Sequence, residues 1–195
     1  MLLDIDGLTP KEIYKVMSQT VIPRPVAWIV TEDEGVLNVA PFSYFIPLSS
    51  NPPTLLVSIG HKQDGSPKDT LANLRKHRRC TVCIAEAEMM EAVHKTSAPL
   101  PHHESEAERF GIATEAFVEG YPPRIKGVPV AYACDYTEEV SLGGTTVPVV
   151  LRARQVWLRD DVVTDVERLS IDFDPLVRIG RAYAKLGERL EPPAL

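Results

Sequence analysis

Cys80 and Cys83 have the two-residue gap used by redox and zinc pairs. They sit in a strand-like run, however, where residues three apart point to opposite faces, so two separate thiols are expected. His102-His103 with Glu104 and Glu106 gathers metal-ligand types without a recognisable ligand spacing, in a polar, proline-containing loop. No metal site is expected there, and the loop is either plain surface or a lid. His61, His77 and His94 are isolated, and neither a Ser-His-Asp constellation nor a Gly-rich dinucleotide fingerprint occurs. Three segments remain: Arg24-Pro25-Val26-Ala27-Trp28-Ile29-Val30-Thr31, Asn38-Val39-Ala40-Pro41-Phe42-Ser43, and Ser66-Pro67-Lys68-Asp69-Thr70 with Asn73. Each also has a purely structural reading. The first is a strand entrance with Arg24 solvated, the second a strand ending in a bulge, and the third an exposed helix start capped by Asp69 or Thr70.

The elements that must position these segments are short. Thr9-Pro10-Lys11-Glu12 supplies a cap, a proline at the first helical position and a glutamate three residues after the cap, which opens a helix ending near Gln19. Val21 to Thr31, Val36 to Phe45, Thr54 to Ile59 and Thr81 to Ala85 are β-branched or apolar runs punctuated by Pro, Gly, Asn and Asp, and read as strands. Helical spacing marks Ser66 to His77 and Glu86 to Lys95, and Ser105 with Glu108 forms a second capping box that Gly111 stops early. Strands return at Val128 to Val140 and Thr145 to Leu158, joined by Gly143-Gly144. In the later strand the spacing puts Val149, Leu151 and Trp157 on one face and Arg152 and Arg154 on the other. After Asp174-Pro175, the spacing of Ile179, Tyr183, Leu186 and Leu190 predicts a terminal helix. Successive strands with short connecting helices imply a predominantly antiparallel, mainly β barrel rather than a βαβ sheet.

The 195 residues suit one domain spanning 1–195 with one sizeable core. A net charge of -6 argues against a grip on a nucleic-acid backbone, although a few local N–H groups and cations suffice for a small phosphate ligand. Met1 to Gly7 carries two acids and no signal-peptide pattern, and no apolar run is long enough to span a membrane, so a cytoplasmic chain is expected. Three cysteines in such a chain suggest free thiols.

In their order along the chain, the three segments resemble those of the flavin reductase-like, FMN-binding split-barrel family, which includes flavoredoxin-type proteins. Asn51-Pro52-Pro53 before Thr54 to Ile59, Lys68-Asp69-Thr70-Leu71-Ala72-Asn73, Thr96-Ser97, Ser105-Glu106, Pro123-Arg124-Ile125 and Arg178-Ile179-Gly180 with Tyr183 extend the resemblance over nearly the whole chain. The resemblance implies a Greek-key-like split β-barrel and bound FMN. It implies that the Val39 to Ser43 strand end faces the isoalloxazine ring, with Ala40, Phe42 and Ser43 offering N–H groups that Pro41 lacks, and with Val30 and Thr31 lining the same slot. Ser66, Lys68 and Thr70 at a helix start would cradle the phosphate. Arg24, Asn38, Ser58 and Asn73 complete the implied site, and Arg178 and Tyr183 would approach it from a second subunit of a homodimer. Arg152 to Val156 and Gly180-Arg181 depart from the commoner family pattern, which leaves the substrate pocket open.

Two activities follow from the resemblance. One is an FMN-dependent oxidoreductase in which NADH or NADPH delivers hydride to bound flavin, and electrons pass on to an acceptor or to free flavin. The other is a flavoredoxin-type electron carrier or flavin-binding protein serving a redox partner protein. In both the flavin carries the chemistry, so no catalytic acid or nucleophile is expected.

Overall fold

The computed structural model describes residues 1–193. Helix α1 (Pro10–Thr20) is followed by β1 (Arg24–Pro25), β2 (Ala27–Asp33), β3 (Val36–Phe42), β4 (Phe45–Ser50), β5 (Pro53–Gly60), α2 (Asp69–His77) and β6 (Arg79–Ile84). Then come α3 (Met90–Lys95), α4 (Glu106–Phe110), the short pair β7 (Thr114–Glu115) and β8 (Arg124–Ile125), and the long hairpin of β9 (Val130–Glu139) and β10 (Thr146–Leu158). A second short pair, β11 (Val163–Asp165) and β12 (Ser170–Ile171), precedes the terminal hairpin of β13 (Val177–Ile179) and β14 (Ala182–Ala184). Both expected helix starts carry their caps, with a full capping box at α1 and the Ser105 side-chain cap alone at α4. Glu12 N–H donates to Thr9 Oγ1 while the Glu12 carboxylate accepts from Thr9 N–H, and Ser105 Oγ accepts from Glu108 N–H.

Seven strands form one antiparallel sheet in the order β3-β2-β6-β9-β10-β5-β4. Among the described residues no ladder joins the edges β3 and β4, so the barrel is split. Its interior holds Ile29, Val57, Leu71, Leu74, Val82 and Leu151. A second apolar layer lies on the outer face of β2 and β6, where Trp28, Val30, Val39 and Cys83 meet Val93 of α3, Ala107 of α4 and Leu176. Strand β2 is therefore apolar on both faces, which explains its unbroken Ala-Trp-Ile-Val run. Cys80 lies in the inner cluster and Cys83 in the outer one, as alternation requires, and both thiols are free and buried.

Four features differ from the sequence pattern. The expected Val21–Thr31 strand divides, because β1 pairs with β13 while β2 enters the barrel. Similarly, the Val36–Phe45 run ends at Phe42, and β4 starts at Phe45. In β10, the register slips between Ala153 and Gln155, and this bulge reverses the faces beyond it. Val149 and Leu151 consequently pack inside the barrel, whereas Trp157 packs in the outer layer.

The expected terminal helix is a hairpin. Gly180 at its turn has φ +54, and a Cβ there would lie 3.1 Å from Gln19. Gly180 N–H donates to Ser18 O at 2.9 Å, so contacts with the end of α1 override the helical spacing of Ile179 and Tyr183.

Candidate functional site

The β2–β3 ladder sets Thr31 against Asn38, Ile29 against Ala40 and Ala27 against Phe42. Buried side chains lock this edge to the start of α2. Asn38 Nδ2 donates to Thr70 Oγ1 at 2.8 Å and to Thr31 Oγ1 at 3.2 Å, and Asn73 Nδ2 donates to Thr31 Oγ1 at 3.1 Å. Four of the polar residues singled out from sequence thus form one network. Thr31 and Asn73 lie behind the surface, while Asn38 and Thr70 reach a cleft of about 510 Å³.

Ala40, Pro41, Phe42 and Lys68 line the same cleft, facing Ser97 to Leu100 across it. Lys68 is the residue before α2, and its side chain makes no capping bond. Its Nζ lies 5.8 Å from the centre of the Phe42 ring. The first intrahelical bonds run from the N–H groups of Leu71 and Ala72 to Lys68 O, which leaves the N–H groups of Asp69 and Thr70 ahead of the helical ladder. Asp69 also borders this mouth, with Lys62 Nζ at 2.8 Å and His102 Nδ1 at 2.9 Å from its Oδ1. The Lys62 ammonium offsets its charge. His102 from the His102-His103 loop therefore contacts the cleft's rim.

The edge of β3 differs from expectation in its donors. Val39 N–H points away from β2 and donates to Glu106 Oε2 at 2.9 Å. Antiparallel alternation then turns the N–H groups of Ala40 and Phe42 toward β2, where the ladder uses them. Pro41 has no N–H. Val39 is fully buried beneath Glu106, so the free side of this edge presents the carbonyl of Pro41, an acceptor rather than the donors expected from Ala40 and Phe42.

Glu106 was the less legible member. Ser105-Glu106 belongs to the resemblance, but nothing in its spacing assigns the carboxylate to a strand edge. Glu106 is 6% exposed, and burial raises its carboxyl above the ordinary glutamate range despite the opposing hydrogen bond from Val39. The folded chain therefore keeps this proton to higher pH than the unfolded chain, and stability should fall as pH rises from the ordinary glutamate value through the raised one. Glu106→Gln keeps an acceptor for Val39 and loses the titration, so its urea midpoint should vary less with pH over that interval than the wild type's. Parallel curves would refute the assignment. Glu106→Ala should cost about 1–3 kcal/mol, since it orphans the Val39 N–H.

Thr96 and Ser97 form the turn into the opposite wall. Trp28 Nε1 donates to Thr96 Oγ1 at 2.9 Å, and Thr96 Oγ1 donates to Val93 O at 3.0 Å, so a buried tryptophan of β2 fixes the wall's origin.

The remaining sequence-selected residues lie elsewhere. Pro41, Phe42 and Ser43 also line an adjoining cleft of about 230 Å³ with Arg178 and Tyr183 of the same chain. Val30 and Val39 are fully buried in the outer layer and line neither of these two clefts. Ser58 borders a separate apolar groove together with Arg24. Ser66 Oγ donates to Asp64 Oδ1 at 2.6 Å within its own turn. Arg24 is not solvated: its guanidinium is buried and donates to the carbonyls of Ser18, Val21 and Gly180.

A mainly antiparallel split barrel with short helices is the fold of the split-barrel flavin reductases. Residues 17–187 match the family described as the flavin reductase like domain, and this chain belongs to that family. The uncharacterized protein YwrF of Bacillus subtilis is 32% identical over 94% of this chain and 93% of its own. The crystal structure of nitrilotriacetate monooxygenase component B from Bacillus cereus is 30% identical, with a TM-score of 0.89 over 98% of each chain. The FMN-binding protein of Thermus thermophilus shares the fold at 20% identity, with a TM-score of 0.79 over 99% of each chain.

Proposed function

We propose that this chain is an FMN-dependent oxidoreductase that accepts hydride from NADH or NADPH and passes electrons to an acceptor or to free flavin. The observation that carries the reading is the meeting of the Asn38–Phe42 strand end with Lys68 and Thr70 in one cleft. When bound, FMN supplies the hydride and electron chemistry. Lys68 offers a cation to its phosphate, supported by the Thr70 hydroxyl and the first N–H groups of α2. Ala40 and Phe42 give apolar surface to the ring, and the outward carbonyl of Pro41 is an acceptor for its N–H edge. The Ser97 to Leu100 wall limits water. An adjoining cleft open to a second small ligand favours the enzyme over the carrier.

A homodimer is part of this reading. Met17, Val21 and Ile46 are exposed along one apolar groove, which two-fold pairing would cover.

Purified protein should take up about one FMN per chain, scatter light at twice the chain mass, and bleach at the flavin absorbance when mixed with NADH or NADPH in a stopped-flow cell. Failure to bind any flavin would refute the cofactor. Bound flavin that neither nucleotide reduces would return the carrier reading, with a redox partner protein as its electron source.

A further inference from the structure

Three depressions adjoin one another in series, the first two beside the edge of β3. The 230 Å³ cleft shares Pro41, Phe42 and Ser97 with the proposed flavin cleft. On its other side it shares Tyr14 with a groove of about 690 Å³ between α1 and the β13–β14 hairpin. Lys11, Lys15 and Arg181 line this outer groove, with Tyr14, Ile22 and Ile179 as its apolar surface.

The charge in this groove runs against the rest of the chain, whose net charge is -6. Among the described residues, neither the groove nor the middle cleft is lined by a carboxylate. The nearest acid in sequence, Glu12, is turned back onto Thr9, accepting from its N–H at 2.9 Å and its hydroxyl at 2.6 Å. Arg178 lines the middle cleft beside Ile179 of the groove, stacked 4.4 Å over the Tyr183 ring, with its Nε buried and without a partner among the described residues.

We infer that the outer groove receives the adenosine half of NADPH and that Lys11, Lys15 and Arg181 select it over NADH through the 2′-phosphate. This deepens the reductase reading and rests on it. The middle cleft is too small for a dinucleotide and suits a single ring beside the flavin cleft, whereas the outer groove is in the size range of a nucleotide pocket. The 2′-phosphate is dianionic near neutral pH, and NADH has only a hydroxyl at that position. Converging cations reward the phosphate strongly and the hydroxyl little. The linking diphosphate passes Arg178, and Tyr14, Ile22 and Ile179 offer apolar surface to adenine.

Calorimetric titration of the FMN-loaded protein with 2′,5′-ADP and with 5′-AMP, at one fixed salt concentration, tests the groove without turnover. The first should bind about tenfold tighter or better. Lys15→Ala and Arg181→Ala should each remove most of that preference, and Lys15→Arg should retain it. In steady-state assays the same alanine variants should raise the KM for NADPH about tenfold and that for NADH by less. Equal affinity for the two nucleotides, or a preference that survives both alanine variants, overturns the inference while leaving the reductase reading intact. The expected nucleotide preference in a protein whose flavin neither NADH nor NADPH reduces would uphold the groove and defeat the reductase reading.

Discussion

Lys68→Ala should weaken FMN by tenfold or more while leaving riboflavin close to its wild-type affinity. A charge-assisted hydrogen bond contributes about 1.5–3 kcal/mol, and only FMN carries the group that Lys68 is placed to meet. The structure makes this substitution a clean one. Lys68 is exposed, caps nothing with its side chain, and makes no ion pair among the described residues, so its removal leaves α2 intact.

Thr70→Val is a different case. Thr70 is 1% exposed and its Oγ1 accepts from Asn38, so valine breaks the network that docks β3 against α2. That variant should lose both flavins together and lower the urea midpoint. Parallel titrations of FMN and riboflavin into wild type and both variants separate the outcomes. If Lys68→Ala lost both flavins equally, or neither, the phosphate would not lie at the start of α2.

The barrel was legible in the sequence because its strands are short β-branched or apolar runs that proline, glycine and asparagine punctuate. Cap chemistry is local, so Thr9 with Glu12 and Ser105 with Glu108 could be placed from spacing alone. What escaped was set by distant partners. The slip between Ala153 and Gln155 belongs to the β9–β10 pairing, and no pattern within β10 announces it. The terminal hairpin exists because Gly180 lands on Ser18, across a separation that periodicity cannot see.

The site divides in the same way. Asn38, Ala40, Pro41, Phe42, Lys68 and Thr70 do share a cleft, since strand end and helix start are neighbours in topology. The direction of each N–H was not legible. It depends on which side of β3 pairs with β2 and on Glu106 covering the other side, and that turned the expected donors Ala40 and Phe42 into ladder members.

Arg24 shows how a residue type that invites one chemistry can be spent on another. An arginine before a proline at a strand entrance is a natural phosphate ligand, yet its guanidinium donates to Val21 O at 3.0 Å and Gly180 O at 3.3 Å, and also to Ser18 O. It also lies 5.8 Å from the centre of the Tyr44 ring. One buried side chain thus ties the end of α1 to the β13–β14 hairpin, and its loss should orphan several carbonyls at once. Arg24→Ala should destabilise the fold by about 3 kcal/mol or more, within the range expected when a buried hydrogen-bond network is broken. Arg24→Lys should restore little, because a single ammonium cannot span acceptors that the planar fork reaches together. Since Arg178 and Tyr183 ride on the same hairpin, any binding loss in a folded Arg24 variant should fall alike on FMN and riboflavin. A selective loss of FMN, with the urea midpoint unchanged, would instead make Arg24 the phosphate ligand.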